Sequence, residues 1–261
     1  GALHEAEQLY RQILETAPDN ADVLNLLGLI AQTRGLHSEA VNWFYRAAAA
    51  APEHFPIFFN LGISLSASGH PIEAIEAYKK VLRLKPDLKE AFFCLGNTYW
   101  QIGRDEEAAE AFENALKLDA DYTDAAVNLA EIKNDEAALQ LLAQKNPQDA
   151  RPFYYLGRRK FTQQKYSEAN LYLQQADFLQ ENAEIKTILG ETLLFLQKKD
   201  EALPFFYAAL RLDPHNSAAA LHIADLEAEK ANYAEAEKYY KKAGELNPDS
   251  VQMHANYANM L

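Results

Sequence analysis

The chain has 261 residues, of which 49% are hydrophobic, and it carries a formal net charge of −13. So acidic a chain lacks the basic face that nucleic-acid binding normally requires, and we expect no nucleic-acid partner. The chain has a single cysteine, Cys94, which excludes an internal disulfide framework. The sequence shows no signal-peptide pattern and no apolar run long enough to span a bilayer. We therefore expect a cytoplasmic protein without a membrane segment.

Small and large apolar residues recur along the chain at a fixed period. Gly28, Gly62 and Gly96 follow one another at a constant interval, and the same interval separates Pro18 from Pro52. A period of this length predicts stacked copies of one small supersecondary unit, because each copy leaves an apolar face that only a neighbour can bury. We therefore expect a single continuous solenoid over residues 1–261, with a surface suited to holding another molecule.

The first half of a repeat is predicted to be a helix, here called helix A. In the first complete repeat, Leu24, Leu27, Gly28 and Ala31 recur at the spacing of one helical face. Gly35 then interrupts the pattern, as glycine does at a turn. Helix A is therefore expected to end just before Gly35.

The second half of the repeat is predicted to be another helix, here called helix B. Ala40, Phe44 and Ala47 form its apolar stripe, and Pro52 follows where a helix cannot continue. Small residues such as Gly28 and Ala40 allow the two helix backbones to approach closely, with Phe44 as the large residue between them.

The same pair of helices is expected seven times, with incomplete copies at both ends. A helix B alone is predicted at 1–20 and a helix A alone at 251–261. The complete repeats are predicted at 21–54, 55–88, 89–122, 123–149, 150–182, 183–216 and 217–250.

The repeat at 123–149 is shorter than the others. Ala130 and Gly157 occupy equivalent positions of successive repeats, but the interval between them is seven residues shorter than the one from Gly62 to Gly96. Aligning Ala137 with Ala108 places five missing residues between the two helices and two within helix B. We expect a local change in superhelix curvature there; a deliberate kink and a decayed repeat both remain open.

The residues at fixed positions resemble the tetratricopeptide repeat family. The second repeat carries nearly the whole signature of that family: Phe58, Leu61, Gly62, Leu65, Gly69, Ala74, Tyr78 and Pro86. The resemblance implies an all-α fold, a right-handed α-α superhelix of about seven helix pairs plus the partial repeats. It also implies a scaffold that binds a peptide or protein segment in a concave groove lined by helix A.

The candidate groove residues are those of helix A that face away from helix B. They combine aromatic area with amide and guanidinium groups that can bond a peptide backbone. The set is Phe59, Asn60, Phe93, Asn97, Trp100, Asn128, Arg151, Tyr154, Tyr155 and Arg158. Core packing of Phe59, Phe93 and Tyr154 is the alternative interpretation.

A basic segment adjoins the candidate groove. Residues 150–167 contain five basic side chains and no acidic one, which would attract a carboxylate or an acidic partner, unless this is simply a solvated face. Members of the family that bind chaperone peptides grip a C-terminal carboxylate with five residues. Asn97, Asn128 and Arg151 match three of those places, whereas Phe93 and Tyr155 occupy the other two.

The chain lacks the motifs of the common catalytic and cofactor sites. There is no phosphate-binding loop, no metal-ligand spacing of His or Cys and no nucleophile elbow, so we expect no enzyme activity, cofactor or metal. An alternative is the substrate-recruiting arm of a larger enzyme that resembles O-linked N-acetylglucosamine transferase, because Asn60, Asn128 and Asn256 share one repeat position. Self-association through the open ends is a further possibility.

Overall fold

The computed structural model describes residues 2–260, which form sixteen α-helices and no strand within that range. The predicted all-α class is confirmed. The helices are α1 (Ala2–Thr16), α2 (Ala21–Thr33), α3 (His37–Ala50), α4 (Phe55–Ala67), α5 (Pro71–Leu84), α6 (Lys89–Gln101), α7 (Asp105–Leu118), α8 (Thr123–Ile132), α9 (Glu136–Lys145), α10 (Ala150–Thr162), α11 (Tyr166–Leu179), α12 (Ala183–Phe195), α13 (Lys199–Leu212), α14 (Ser217–Glu229), α15 (Tyr233–Leu246) and α16 (Val251–Met260).

The helices group into two compact units, one ending at Asn134 and the other beginning at Asp135. The first unit contains α1, the pairs α2/α3, α4/α5 and α6/α7, and then α8. The second contains α9, the pairs α10/α11, α12/α13 and α14/α15, and then α16. The boundary falls between the two helices of the short repeat, and the expectation of one continuous domain stays a prediction.

Five of the helix pairs are held together by a glycine on helix A that faces a large side chain on helix B. A Cβ added to Gly28 would lie 2.5 Å from the ring of Phe44, and one added to Gly96 would lie 2.7 Å from the ring of Phe112. Such distances leave no room for a larger residue. The predicted close approach of the two helix backbones is therefore confirmed, with equivalent contacts at Gly62–Tyr78, Gly157–Leu173 and Gly190–Phe206.

The turn between helix A and helix B contains one residue in the left-handed region of backbone space. In the first three repeats this residue is glycine, with φ of 74°, 80° and 74° at Gly35, Gly69 and Gly103. In the later repeats it is not, and these positions are Asn134, Gln164, Gln197 and Ala231, with φ of 52°, 60°, 61° and 59°. A residue in this conformation is strained by its Cβ, least where it is Asn, whose short polar side chain can form local hydrogen bonds.

The short repeat loses its residues from the ends of its helices. α8 and α9 have 10 residues each, against 13 in α6 and 14 in α7, and the connecting turn keeps its three residues. Leu139, fully buried, takes the fourth position of α9, which Ala108 takes in α7, whereas Ala137 is exposed. The predicted gap between the helices was therefore wrong, because the alignment used Ala137 where packing selects Leu139. The change in curvature stays a prediction.

Among residues 2–260, no helix is both long enough and apolar enough to span a lipid bilayer.

Candidate functional site

Polar side chains join several helices A to the next one within a unit. Asn128 Nδ2 donates a hydrogen bond to Asn97 Oδ1 at 2.8 Å, and Asn128 is only 8% exposed. Asn60 Nδ2 similarly donates to Asn25 Oδ1 at 3.1 Å. Three predicted groove residues, Asn60, Asn97 and Asn128, therefore help to hold successive helices together.

The second unit repeats this arrangement with other side chains. Asn256 Nδ2 donates to Asp225 Oδ1 at 2.9 Å, and His222 Nε2 lies 3.2 Å from Glu191 Oε1. We call these contacts inter-repeat rungs. These rungs were not predicted from the sequence, although three of them, Asn97 with Asn128, Glu191 with His222 and Asp225 with Asn256, join residues that are 31 positions apart. A polar pair that recurs at this interval is the signal that identifies a rung.

The aromatic residues predicted for the first unit pack partly into its core. The ring of Phe59 lies 6.1 Å from that of Tyr78, and the ring of Phe93 lies 5.8 Å from that of Phe112. Trp100 is also partly buried against the same apolar cluster. These contacts support the alternative interpretation of Phe59 and Phe93 as core residues.

In the second unit, four predicted residues lie together on α10. The rings of Tyr154 and Tyr155 are 5.2 Å apart, and the guanidinium of Arg158 lies 5.6 Å from the first ring and 5.4 Å from the second. Burial, with a hydrogen bond to Glu184, raises the pKa of Tyr154, so its hydroxyl remains a donor at neutral pH. Arg151 joins these tyrosines at the wall of a cavity.

This cavity has a volume of about 250 Å³ and lies between α10 and α12. We call it the aromatic cavity. Its size is just below the roughly 300–1,000 Å³ of pockets that bind small ligands. It is lined by Ala150, Arg151, Tyr154, Tyr155, Gln180, Asn182, Glu184 and Ile185.

The basic segment of residues 150–167 is partly neutralised inside the protein. Arg151 Nη2 pairs with Asp149 Oδ2 at 2.7 Å, and although burial opposes it, the hydrogen bonds from Arg151 lower the pKa of Asp149. Lys160 is only 5% exposed, and its Nζ lies 2.7 Å from Glu136 Oε1 and 3.2 Å from Glu168 Oε2. The expectation of an exposed basic side chain is therefore wrong for Lys160, because it is buried and ion-paired within the fold. Arg151 is ion-paired as well, but its side chain remains 37% exposed and its place in the groove stays a prediction.

A second cavity, of about 620 Å³, adjoins the first along α12, and both are lined by Asn182 and Glu184. We call it the acidic cavity, because its lining in the described part of the chain has four carboxylates and no Lys, Arg or His. The carboxylates are those of Glu181, Glu184, Glu191 and Asp213. None of these four carboxylates is among the groove residues predicted from the sequence. The spacing of Glu184 and Glu191, two helical turns apart on helix A, is the signal for the acidic surface.

No group of three or more His, Cys, Asp or Glu that could hold a metal ion occurs among residues 2–260. Burial raises the pKa of the Cys94 thiol to about 11, with a hydrogen bond to Tyr78 acting in the opposite direction. A thiol of this kind is protonated at neutral pH and is a poor nucleophile.

Four family models match the sequence. One described as TPR repeat matches residues 73–103, and three described as tetratricopeptide repeat match residues 197–260, residues 89–122, and residues 1–54 with 154–217. The matches leave out residues 55–72 and residues 123–153, which contain the whole of the short repeat. No curated protein matches the sequence at a significant level.

Solved structures share the fold at low sequence identity. Yeast Tom70 matches with a TM-score of 0.74 at 14% identity, covering 99% of this chain and 58% of that one. A tetratricopeptide repeat protein from Parabacteroides merdae has a TM-score of 0.73 at 19% identity, covering 85% and 91%. The Cut9–Hcn1 hetero-tetramer of the APC/C has a TM-score of 0.59 at 18% identity, covering 99% and 46%. The chain thus spans just over half of the Tom70 chain, and these likenesses show the fold alone.

Proposed function

The chain belongs to the tetratricopeptide repeat family, and from this premise we propose that it binds a peptide or protein segment along its helices A. The protein is then an interaction scaffold without catalysis of its own. Proteins built from such repeats expose long surfaces relative to their cores, which suits this role.

The aromatic cavity is the observation that carries the proposal. Tyr154 and Tyr155 offer large contact areas with few rotatable bonds, and little conformational entropy is lost when they bind. The guanidinium groups of Arg151 and Arg158 and the amide of Asn182 supply directed polar groups around them. A concave apolar site with a few polar groups is the usual form of a recognition site.

The test compares two double variants with the wild type in pull-downs from a lysate, with bound proteins quantified by mass spectrometry. Tyr155→Ala with Arg158→Glu alters the helix A surface. Leu171→Glu with Phe178→Glu is the matched control on α11, where these side chains are 68% and 84% exposed. We expect the captured proteins to be lost with the first variant and retained with the second. Loss with the second variant only, or retention by both, would reject the helix A surface.

The alternative of an enzyme arm is based on Asn60, Asn128 and Asn256. Each of these side chains donates its amide to a residue of the preceding helix A. An inter-repeat role thus accounts for their recurrence, and we do not extend the proposal to the enzyme arm. A catalytic domain encoded next to this chain would favour that alternative.

Self-association is a separate part of the proposal. Exposed apolar side chains on α1, such as Leu9 at 59%, and on α16, where Val251 is 81% exposed, are the groups that it would use. Light scattering tests it, and a mass that stays at one chain up to high concentration would reject it.

A further inference from the structure

We infer that the bound segment is basic, with Lys or Arg residues next to one apolar side chain. This inference rests on the proposed function, because it names the chemical class of partner for the same surface. It reverses the charge expected from the basic segment of residues 150–167.

The two cavities form a continuous surface along the N-terminal half of α12. Tyr154, Tyr155 and Ile185 give one end its apolar character, and Asn182 and Glu184 belong to both cavities. An extended segment advances by about 3.3 Å per residue. A chain lying along α12 would place an apolar side chain in the aromatic cavity and the residues that follow over the acidic cavity.

Three of the four carboxylates of the acidic cavity lack an ion pair with Lys or Arg in the described part of the chain, although the guanidinium of Arg158 lies beside the Tyr154 ring whose hydroxyl contacts Glu184. Glu184 accepts a hydrogen bond from the Tyr154 hydroxyl, and Asp213 accepts one from the backbone N–H of His215 at 2.9 Å. Glu191 contacts the imidazole of His222, which is charged only when protonated. Within residues 2–260, no Lys or Arg forms an ion pair with Glu184, Glu191 or Asp213.

Glu181 is the exception, and its contacts with cations are long. Its carboxylate lies 3.3 Å from Lys186 Nζ and 3.4 Å from Arg211 Nη2. Lys186 is closer to Asp177, at 2.9 Å, and Arg211 is 72% exposed. The cavity therefore retains a negative potential, which attracts cationic side chains and repels carboxylates.

For an acidic ligand, two of the basic side chains of the second unit are already engaged by carboxylates of the protein. Arg151, the cation in the lining of the aromatic cavity, is already paired with Asp149, which is itself largely buried. Lys160 is directed to Glu136 and Glu168. Arg158 lies beside the rings of Tyr154 and Tyr155 and is absent from the lining of the acidic cavity, so charge complementarity along the acidic cavity favours a basic segment over an acidic one.

The experiment is a selection from a displayed library of random peptides of about 12 residues, which span roughly 40 Å when extended. It is run on the wild type and on Glu184→Gln with Glu191→Gln, in which the amide oxygens can still accept the hydrogen bonds of Tyr154 and His222. The matched control is Glu106→Gln with Glu110→Gln on α7, which removes the same charge from exposed positions of the other unit.

We expect the peptides selected by the wild type to be enriched in Lys and Arg together with an aromatic or aliphatic residue. Because each pair at an exposed site contributes modestly, the best peptide should bind the Glu184/Glu191 variant about fivefold more weakly and the control within about twofold, by fluorescence anisotropy. Tyr155→Ala should weaken the same peptide.

Selection of acidic or uncharged peptides, or equal binding to both carboxylate variants, would overturn the inference and leave the proposed function standing. No enrichment on the wild type would overturn both.

Discussion

The left-handed turn residues allow a quantitative test of backbone strain. Ala231 adopts a φ of 59°, where glycine occupies the equivalent turn position of the first three repeats. An L-residue in this conformation costs about 1–2 kcal/mol. Glycine in its place costs about 0.4–1 kcal/mol through the greater freedom of the unfolded chain. We therefore expect Ala231→Gly to stabilise the second unit by about 0.5–1 kcal/mol.

The reverse change serves as a matched comparison. A Cβ added to Gly103 would meet nothing within 4 Å, so Gly103→Ala changes the backbone preference alone. It should destabilise the first unit by about 0.5–1 kcal/mol. Ala234 lies three residues after Ala231, within the regular helix α15. Ala234→Gly should therefore destabilise the protein, because glycine loses more conformational freedom than alanine when a helix forms.

The assay is urea unfolding followed by circular dichroism, fitted as a repeat array because two-state behaviour does not hold for such proteins. A lower midpoint for Ala231→Gly, or a higher one for Gly103→Ala, would refute the argument from backbone strain.

Three further predictions concern buried polar groups. Asn128→Ala removes a rung and leaves Asn97 Oδ1 without its donor, so the free energy of unfolding should fall by about 1–2 kcal/mol. If the effects of Asn97→Ala and Asn128→Ala on urea unfolding simply add in the double variant, the two side chains do not interact. The hydrogen bond from Lys160 lowers the pKa of Glu136 below its usual 4.5 in the folded protein. The ion pair therefore stabilises the fold above pH 4.5, and this stabilisation is lost as the pH falls through the lowered pKa of Glu136. Lys160→Met should flatten the acid side of the stability profile, and an unchanged slope below pH 4.5 would contradict the assignment. Alkylation of Cys94 in the folded protein should rise with a midpoint near pH 11, and a midpoint below the ordinary value of 9.0 would contradict its burial.

Much of the fold could be predicted because its packing depends on residues close in sequence. Gly28 and Phe44 lie on consecutive helices, and a small and a large partner recur at these two positions in five of the repeats. The short repeat was misaligned because alanine is common on both helix faces. Only burial distinguishes Leu139, which packs, from Ala137, which does not.

The candidate site was predictable only in part, for a related reason. Tyr154, Tyr155 and Arg158 lie on one helix, so spacing alone places them together. Glu181 precedes α12 and Asp213 follows α13, so two whole helices separate them along the chain, and stacking of the repeats brings them to the same cavity. The aromatic rings of Phe59 and Phe93 could not be assigned to core or surface, because both environments occur at the same helical spacing.

The inter-repeat rungs give the repeats an order. Asn97 with Asn128 is a neutral pair, whereas Glu191 with His222 and Asp225 with Asn256 place a carboxylate against a donor. In each of these rungs the earlier helix A supplies the acceptor and the later one the donor. A repeat copied or moved to follow a helix A that lacks the acceptor, such as α4 with Ile63 at that position, would leave its donor unmatched. Gene duplication or modular engineering of this chain must therefore transfer both halves of each rung, and the repeats are not interchangeable building blocks.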